Sequence, residues 1–239
     1  MAVGMEVVIG RRDGTTFGAH LALPPDAGVH PGVVVIHEIF GLNDDIRRIA
    51  QRFAASGYVA LAPDLYDGRG LRPVCIARTV LALRARTGAP FDDIDAARGF
   101  LAARGEVDGQ RLGIVGFCMG GGFAVLAALR GPYRVSAPYY GEVPRQVAEL
   151  EGICPVVAGF GGRDRLFAPH GARLARHLAS LGVPHDVKVY PDVGHSYMNR
   201  HPPTLIECLG AWSPMRVGYD EAAAEDSWKR MLAFFARHL

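Results

Sequence analysis

The chain has 239 residues, of which 49% are apolar and 21% are charged. This composition is typical of a soluble globular protein, and the length predicts one α/β domain over residues 1–239 with a substantial buried core. The net charge of +2 comes without a basic run, so we expect neither nucleic acid nor an anionic membrane as a partner.

The cellular setting and the cofactors are predicted from motifs that the chain lacks. We expect no signal peptide and no membrane span, because no apolar run has the required length. No CxxC, HExxH or paired-histidine spacing occurs, so we expect no metal and no cofactor. The cysteines show no paired spacing, which favours a reduced, cytoplasmic protein; they are Cys75, Cys118, Cys154 and Cys208.

Apolar patterning predicts the elements in chain order. Alternation at 6–9 and 17–23, around a turn at 10–14, indicates an antiparallel hairpin. Continuous apolar runs predict buried strands at 32–37, 58–62, 111–115, 135–139, 155–160 and 186–190. Amphipathic patterns predict helices at 44–55, 75–86, 92–103, 143–150, 169–181 and 221–238. The alternation predicts a mostly parallel sheet with helices on both faces.

The segment Gly116-Phe117-Cys118-Met119-Gly120 stands between an apolar strand and an apolar helix. This spacing is typical of the nucleophile elbow of the α/β-hydrolase fold, here with a thiol where serine is usual. Flanking glycines relieve the clashes of a strained turn, and the helix N-terminus favours a thiolate. We predict that Cys118 is the nucleophile. The alternative is an inert, buried cysteine in a glycine-rich turn.

An acid and a histidine follow in the chain order that this fold requires. Asp164 lies in the loop after the strand at 155–160, and His195 lies in the loop after the strand at 186–190. We predict that both face Cys118. Asp192, three residues before His195, is the competing acid, and Asp164 has an alternative role as a helix cap near residue 169.

With these residues placed, the chain resembles the dienelactone hydrolase family, whose members are carboxymethylenebutenolidase-like. The resemblance rests on the cysteine elbow together with VVIHEIFGLN at 34–43 and APDLY at 62–66. It extends from about residue 15 to the C-terminus. It implies an α/β-hydrolase fold with an N-terminal antiparallel hairpin.

The resemblance also implies roles for single residues. His195 acts as the base and then the acid, and Asp164 orients its imidazole. Glu38 contacts the resting thiol of Cys118 and helps to generate the thiolate when substrate enters. The backbone N–H groups of Ile39 and Met119 form the oxyanion hole, a placement that the fold itself favours. A structural role for Glu38, as a cap or in an ion pair, is the alternative.

The substrate-binding positions depart from the family pattern. Where the family has a carboxylate-binding arginine, four residues after the histidine, this chain has Asn199, followed by Arg200. Arg72 and Arg78 are further candidates on a predicted lid at 66–73 and the helix after it; a second predicted lid covers 200–214. The alternative is that these arginines are solvated surface residues.

We therefore expect a hydrolase that cleaves a small ester or lactone through a Cys-His-Asp triad. Two alternatives stay open at this stage. One is a short-chain esterase or thioesterase with the same triad, and the other is a non-catalytic protein that binds a small ligand. We expect a small-molecule partner and a monomer or weak homodimer.

Overall fold

The computed structural model of the chain describes residues 2–67, 70–201 and 210–239. The strands are β1 (Val3–Gly10), β2 (Thr16–Leu23), β3 (His30–Ile36), β4 (Val59–Pro63), β5 (Val107–Phe117), β6 (Val135–Tyr139), β7 (Val156–Gly161) and β8 (His185–Tyr190). The longer helices are α1 (Asp44–Ala55), α2 (Arg72–Ala85), α3 (Ala89–Ala102), α4 (Met119–Ala128), α5 (Ala168–Ser180) and α6 (Glu221–His238).

The strands form one sheet in the order β1-β2-β4-β3-β5-β6-β7-β8. The pairs β1–β2 and β2–β4 are antiparallel and all the others are parallel, which confirms the predicted sheet and hairpin. The chain runs outward from β3 to β4 and then returns past β3 to β5. Loops that follow β3 and β5 therefore meet in the crevice where open α/β sheets bind ligands.

Helices cover both faces of the sheet, as predicted. A Cβ built on Gly32 would lie 3.0 Å from Leu101 of α3, and one built on Gly113 would lie 3.4 Å from Phe235 of α6. Gly113 pairs with Val33, the residue after Gly32, and successive residues of a strand face opposite sides of the sheet. The Cβ directions at Gly32 and Gly113 are therefore opposite. Helices α3 and α6 thus lie on opposite faces; α4 packs beside α3, and α1 packs beside α6.

The helix predicted at 143–150 is wrong, because only a 3₁₀ turn forms there, at Val147–Leu150. Pro144 disfavours helical geometry at the residue before it. The backbone of Val143 is instead bound by α5: its N–H donates to His170 Nδ1 at 2.9 Å, and its carbonyl accepts from Arg173 at 3.2 Å.

Both predicted lids fall partly outside the described residues. This applies to 68–69 in the first lid and to 202–209 in the second, including Cys208. Helix α2 begins at Arg72, inside the first predicted lid. Among the described residues, none of the helices combines the length and the apolar content that crossing a bilayer requires.

Candidate active site

Cys118 occupies a strained turn between β5 and α4. Its backbone has φ 55° and ψ −117°, a conformation that L-residues rarely adopt, and its N–H donates to the Tyr139 carbonyl at 3.1 Å. A Cβ on Gly116 would overlap the Gly120 carbonyl, and one on Gly120 would overlap the Ile36 carbonyl of β3. The flanking glycines are therefore a steric requirement, and the turn places the half-buried thiol at the start of α4.

Asp164 and His195 form a buried pair. His195 Nδ1 lies 2.6 Å from Asp164 Oδ2, and neither side chain is more than 3% exposed. The other carboxylate oxygen accepts the N–H groups of Leu166 and Phe167 at 3.0 and 3.1 Å, which orients the acid. Asp192, the competing acid, is 85% exposed and lies 3.7 Å from an arginine, so the structure brings Asp164 to the histidine.

The second ring nitrogen of His195, Nε2, is buried and has no hydrogen-bond partner within the described ranges. Burial on its own lowers the pKa of His195. The negative charge of Cys118 and the interactions of the two ring nitrogens with Asp164 and with the Cys118 side chain outweigh burial and raise the pKa to about 10. This environment favours the protonated form of the His195 ring at neutral pH.

Glu38 follows β3 and is 2% exposed. Its Oε1 accepts a hydrogen bond from Ser196 Oγ at 2.5 Å, and its Oε2 lies 3.0 Å from His201 Nε2. Both Glu38 and Cys118 are described, and no hydrogen bond joins them. The contact with the resting thiol that the resemblance implied therefore stays a prediction, and in the structure the Glu38 side chain is bound by the loop that carries His195.

Sequence reasoning missed Ser196 and His201. Ser196 has φ 58°, so its backbone is in the left-handed region, which turns its hydroxyl toward Glu38. The only signal in the sequence was its position next to His195. A serine in that position has too many possible partners to predict this bond.

The turn after β3 presents a free amide. The Glu38 carbonyl accepts from Gly41 N at 3.0 Å and from His37 Nδ1 at 2.6 Å. Because a trans peptide directs N–H opposite to C=O, these two hydrogen bonds fix the direction of the Ile39 N–H. Neither that N–H nor the N–H of Met119 has an acceptor within the part of the chain that the structure describes. Both amides remain available to an oxyanion.

His37 is a structural histidine in this turn. The Leu65 N–H donates to its Nε2 at 3.1 Å, so the proton of the neutral ring is on Nδ1, which donates to the Glu38 carbonyl. Burial lowers the pKa of His37, which keeps the ring neutral. The ring therefore connects the loop after β4 to the turn after β3.

The predicted substrate-binding residues do not converge on Cys118. Asn199 is 1% exposed and is a structural residue: its amide donates to Asp45 Oδ2 at 2.9 Å, and its carbonyl accepts from the Tyr140 hydroxyl. Arg200 is exposed and donates to the Tyr219 hydroxyl at 2.9 Å. Asn199 is thus used inside the core and Arg200 faces the surface, and a substrate contact by either residue stays a prediction.

The two candidate arginines of α2 differ in their surroundings. Arg72 donates to the Phe40 carbonyl, which brings its guanidinium to the turn after β3. Arg78 is exposed and has no hydrogen-bond partner in the described ranges. Only Arg72 lies at the site, and it is bound to the backbone there.

The side chains next to the buried His-Asp pair are aromatic. The Phe167 and Tyr140 rings lie 5.0 and 5.1 Å from the His195 ring. Phe40 lies 4.9 Å from the His201 ring, and Ile39 is 37% exposed beside it. The side chains around His195 and His201 are thus mainly apolar, which is typical of small-molecule sites.

A strained cysteine elbow after the central strand β5, faced by a buried His-Asp pair from two later loops, defines an α/β-hydrolase. The model of the dienelactone hydrolase family matches residues 17–239. The chain belongs to this family, which confirms the resemblance seen in the sequence.

Individual relatives agree with this assignment. The carboxymethylenebutenolidase of Rhodococcus opacus is 28% identical over 249 residues, which cover 96% of this chain and 90% of the relative. The solved structure of m3DLH is 26% identical, with a TM-score of 0.80 over 100% of this chain and 99% of that chain. Brefeldin A esterase, a bacterial homologue of human hormone-sensitive lipase, shares the fold alone: it is 18% identical, with a TM-score of 0.71 over 99% of this chain and 77% of its own. The chain is thus a hydrolase of the carboxymethylenebutenolidase-like type.

Proposed function

We propose that the protein hydrolyses a small ester or lactone with Cys118 as nucleophile, His195 as acid and base, and Asp164 as the residue that orients the imidazole. The observation that carries this proposal is the His195 ring: Nδ1 is held by Asp164 at 2.6 Å, and the buried Nε2 is left to interact with the strained Cys118. A ring held in this way can pass a proton only through Nε2.

In the first half-reaction the Cys118 thiolate attacks the ester carbonyl carbon. The new C–S bond forms while the carbonyl electron pair moves to oxygen, and the N–H groups of Ile39 and Met119 stabilise that oxyanion. Collapse breaks the C–O bond, and His195 Nε2 gives its proton to the leaving oxygen. The products of this step are an alcohol and a thioacyl enzyme; with a lactone, both remain in one molecule.

In the second half-reaction His195, now neutral, takes a proton from water as the water attacks the thioacyl carbon. The C–S bond breaks, the acid leaves, and the thiolate–imidazolium pair returns. Glu38 has a positioning role in this scheme. Its bond with Ser196 connects the turn that carries the Ile39 amide to the loop that carries His195.

We propose a neutral substrate rather than one that carries a carboxylate. The family position for a carboxylate-binding arginine is Asn199, which is bound inside the core. The carboxyl group of Glu38, in the turn that carries the Ile39 amide, is buried and disfavours a second anion nearby. A short-chain ester or an uncharged lactone fits this charge pattern best.

The test is a pre-steady-state burst with p-nitrophenyl acetate. Wild-type protein should release about one equivalent of p-nitrophenol before a slower phase, with the acetyl group on Cys118 by mass spectrometry. Cys118→Ala should remove burst and turnover. Cys154→Ala is the matched control, because burial raises the pKa of that half-buried thiol to about 12 and it should not react. Turnover that persists in Cys118→Ala would refute the proposal.

A further inference from the structure

The segment after β4 reaches the turn that carries one oxyanion-hole amide. The Tyr66 hydroxyl donates to the Ile39 carbonyl at 3.1 Å and also lies 3.8 Å from the sulfur of Met119. Ile39 and Met119 are the two residues whose amides face the oxyanion in the proposed mechanism. One hydroxyl therefore contacts both residues that supply these amides, through the carbonyl of Ile39 and the side chain of Met119.

The Tyr66 ring is itself held in place. It packs edge-on against the His37 ring, with 4.8 Å between centroids, and the backbone N–H of Tyr66 donates to Asp64 Oδ1 at 3.0 Å. Burial raises the pKa of Tyr66, so the hydroxyl remains protonated and can act as a donor at neutral pH. The donor is thus available before a substrate arrives.

Arg72 acts on the neighbouring peptide of the same turn, because its guanidinium donates to the Phe40 carbonyl. Gly41 closes the turn with φ 75°, and a Cβ there would lie 3.0 Å from the Tyr66 ring and 3.1 Å from the Arg72 guanidinium. Both side chains are in contact with the turn, and there is no room for it to shift toward them.

We propose that Tyr66 and Arg72 are positioning residues that hold the turn at 38–41 so that the Ile39 N–H points toward the oxyanion. Tyr66 also holds the side chain of Met119 in place. This inference rests on the proposed function. The peptide that carries the Ile39 amide is held through the Glu38 carbonyl by Gly41 and His37. Tyr66 and Arg72 bind the carbonyls of the next two peptides, at residues 39 and 40, so a rotation of the turn that redirects the amide would strain or break their bonds. The role of Arg72 is then architectural, in contrast to the substrate contact that its sequence position suggested.

The size of the effect follows from what the hole contributes. Removing one oxyanion donor typically costs about 10²–10³ in kcat, so a donor that remains but loses its alignment should cost roughly tenfold. Tyr66→Phe keeps the ring on His37 and removes only the hydroxyl. We expect the acylation rate with p-nitrophenyl acetate to fall about tenfold, with KM changed less than about twofold.

A second measurement distinguishes a misaligned oxyanion-hole amide from a general loss of active-site structure. Alkylation of Cys118 by iodoacetamide needs a thiolate but forms no oxyanion. Its rate in Tyr66→Phe should therefore stay within about twofold of wild type, while ester acylation falls. Arg72→Met should show the same split. Tyr133→Phe, which also removes a buried hydroxyl, and Arg84→Met, on an exposed arginine of α2, are the matched controls.

The outcomes are distinct. Unchanged acylation in Tyr66→Phe, or parallel loss of acylation and alkylation, would overturn the inference, since the hydroxyl would then be dispensable or would act on the thiol. If wild-type protein shows no acylation of Cys118 at all, the proposed function fails, and this inference fails with it. Acylation that is normal in both controls and selectively slow in Tyr66→Phe and Arg72→Met supports the positioning role.

Discussion

Replacing Asn199 by alanine tests whether this residue binds substrate or supports the core. In the structure Asn199 joins two buried groups: it donates to Asp45 Oδ2 at 2.9 Å and accepts from the Tyr140 hydroxyl. The other oxygen of Asp45 is bound by Arg48 at 2.7 Å, so the acid keeps one partner. The tyrosine hydroxyl would lose the only partner that the described residues provide.

The magnitude follows from these contacts. A buried polar group left without a partner costs about 1–3 kcal/mol, so two such groups cost roughly 2–6 kcal/mol, and we take about 3 kcal/mol because Asp45 keeps Arg48. For a chain of this size each kcal/mol lowers the Tm by about 2–4 °C, which gives a fall of about 6–12 °C. The neighbouring Arg200→Ala removes only a surface bond with Tyr219 and should change stability by less than about 0.5 kcal/mol.

The assay is urea unfolding of both variants, combined with steady-state kinetics on a neutral ester and on an acidic lactone. If Asn199 supports the core, Asn199→Ala should lower the free energy of unfolding strongly. Its KM should then change by the same factor for the neutral ester and for the acidic lactone. The double variant Asn199→Ala/Tyr140→Phe should cost less than the sum of the single variants, because it removes both partners of one bond. A Tm within about 2 °C of wild type, with a KM raised only for the acidic lactone, would refute the structural reading.

Two further predictions concern the buried pair. Asp164→Asn should lower kcat by about 10³–10⁴ because the imidazole loses its orientation and its charge partner, whereas Asp192→Asn should have no effect; equal losses in ester assays would contradict the assignment. Alkylation of Cys118 should lower the pKa of His195, measured by NMR titration of the ring, because the thiolate helps to raise it to about 10; an unchanged pKa would show that the thiolate is not its partner. Since that pKa lies above the value of about 6.5 in the unfolded chain, the imidazolium stabilises the fold fully below pH 6.5, and this stabilisation is lost as the pH rises through 10.

The parts of the site that the sequence predicted are those set by local sterics and chain order. Gly116 and Gly120 flank the cysteine because a Cβ at either position would overlap backbone atoms, so the spacing alone predicts the turn. Asp164 and His195 each follow an apolar strand, and parallel strands bring their carboxyl ends to one edge. These inferences need only neighbours along the chain and the periodicity of strands.

The parts that could not be predicted depend on which distant groups meet. Asn199 and Arg72 were considered as ligands for a substrate carboxylate, yet their partners are Asp45 and Tyr140 in the first case and a backbone carbonyl in the second. Nothing in the local pattern distinguishes a polar side chain that binds a buried neighbour from one that faces the cleft. The helix wrongly predicted at 143–150 has the same origin, because α5 competes for its backbone groups.

The charges gathered at the site are the reason for which we propose an uncharged substrate. The carboxyl groups of Glu38 and Asp164 are both buried there, with His201 Nε2 3.0 Å from Glu38 Oε2 and His195 Nδ1 2.6 Å from Asp164 Oδ2. A carboxylate about 6 Å from Glu38 would be repelled by roughly 3 kcal/mol at an effective dielectric constant near 20, which is more than a hundredfold in affinity. The Arg72 guanidinium is the nearest cation identified at the turn, and it is bound to the Phe40 carbonyl. Loss of the family's arginine and the presence of a buried Glu38 tied to Ser196 therefore favour the same substrate class.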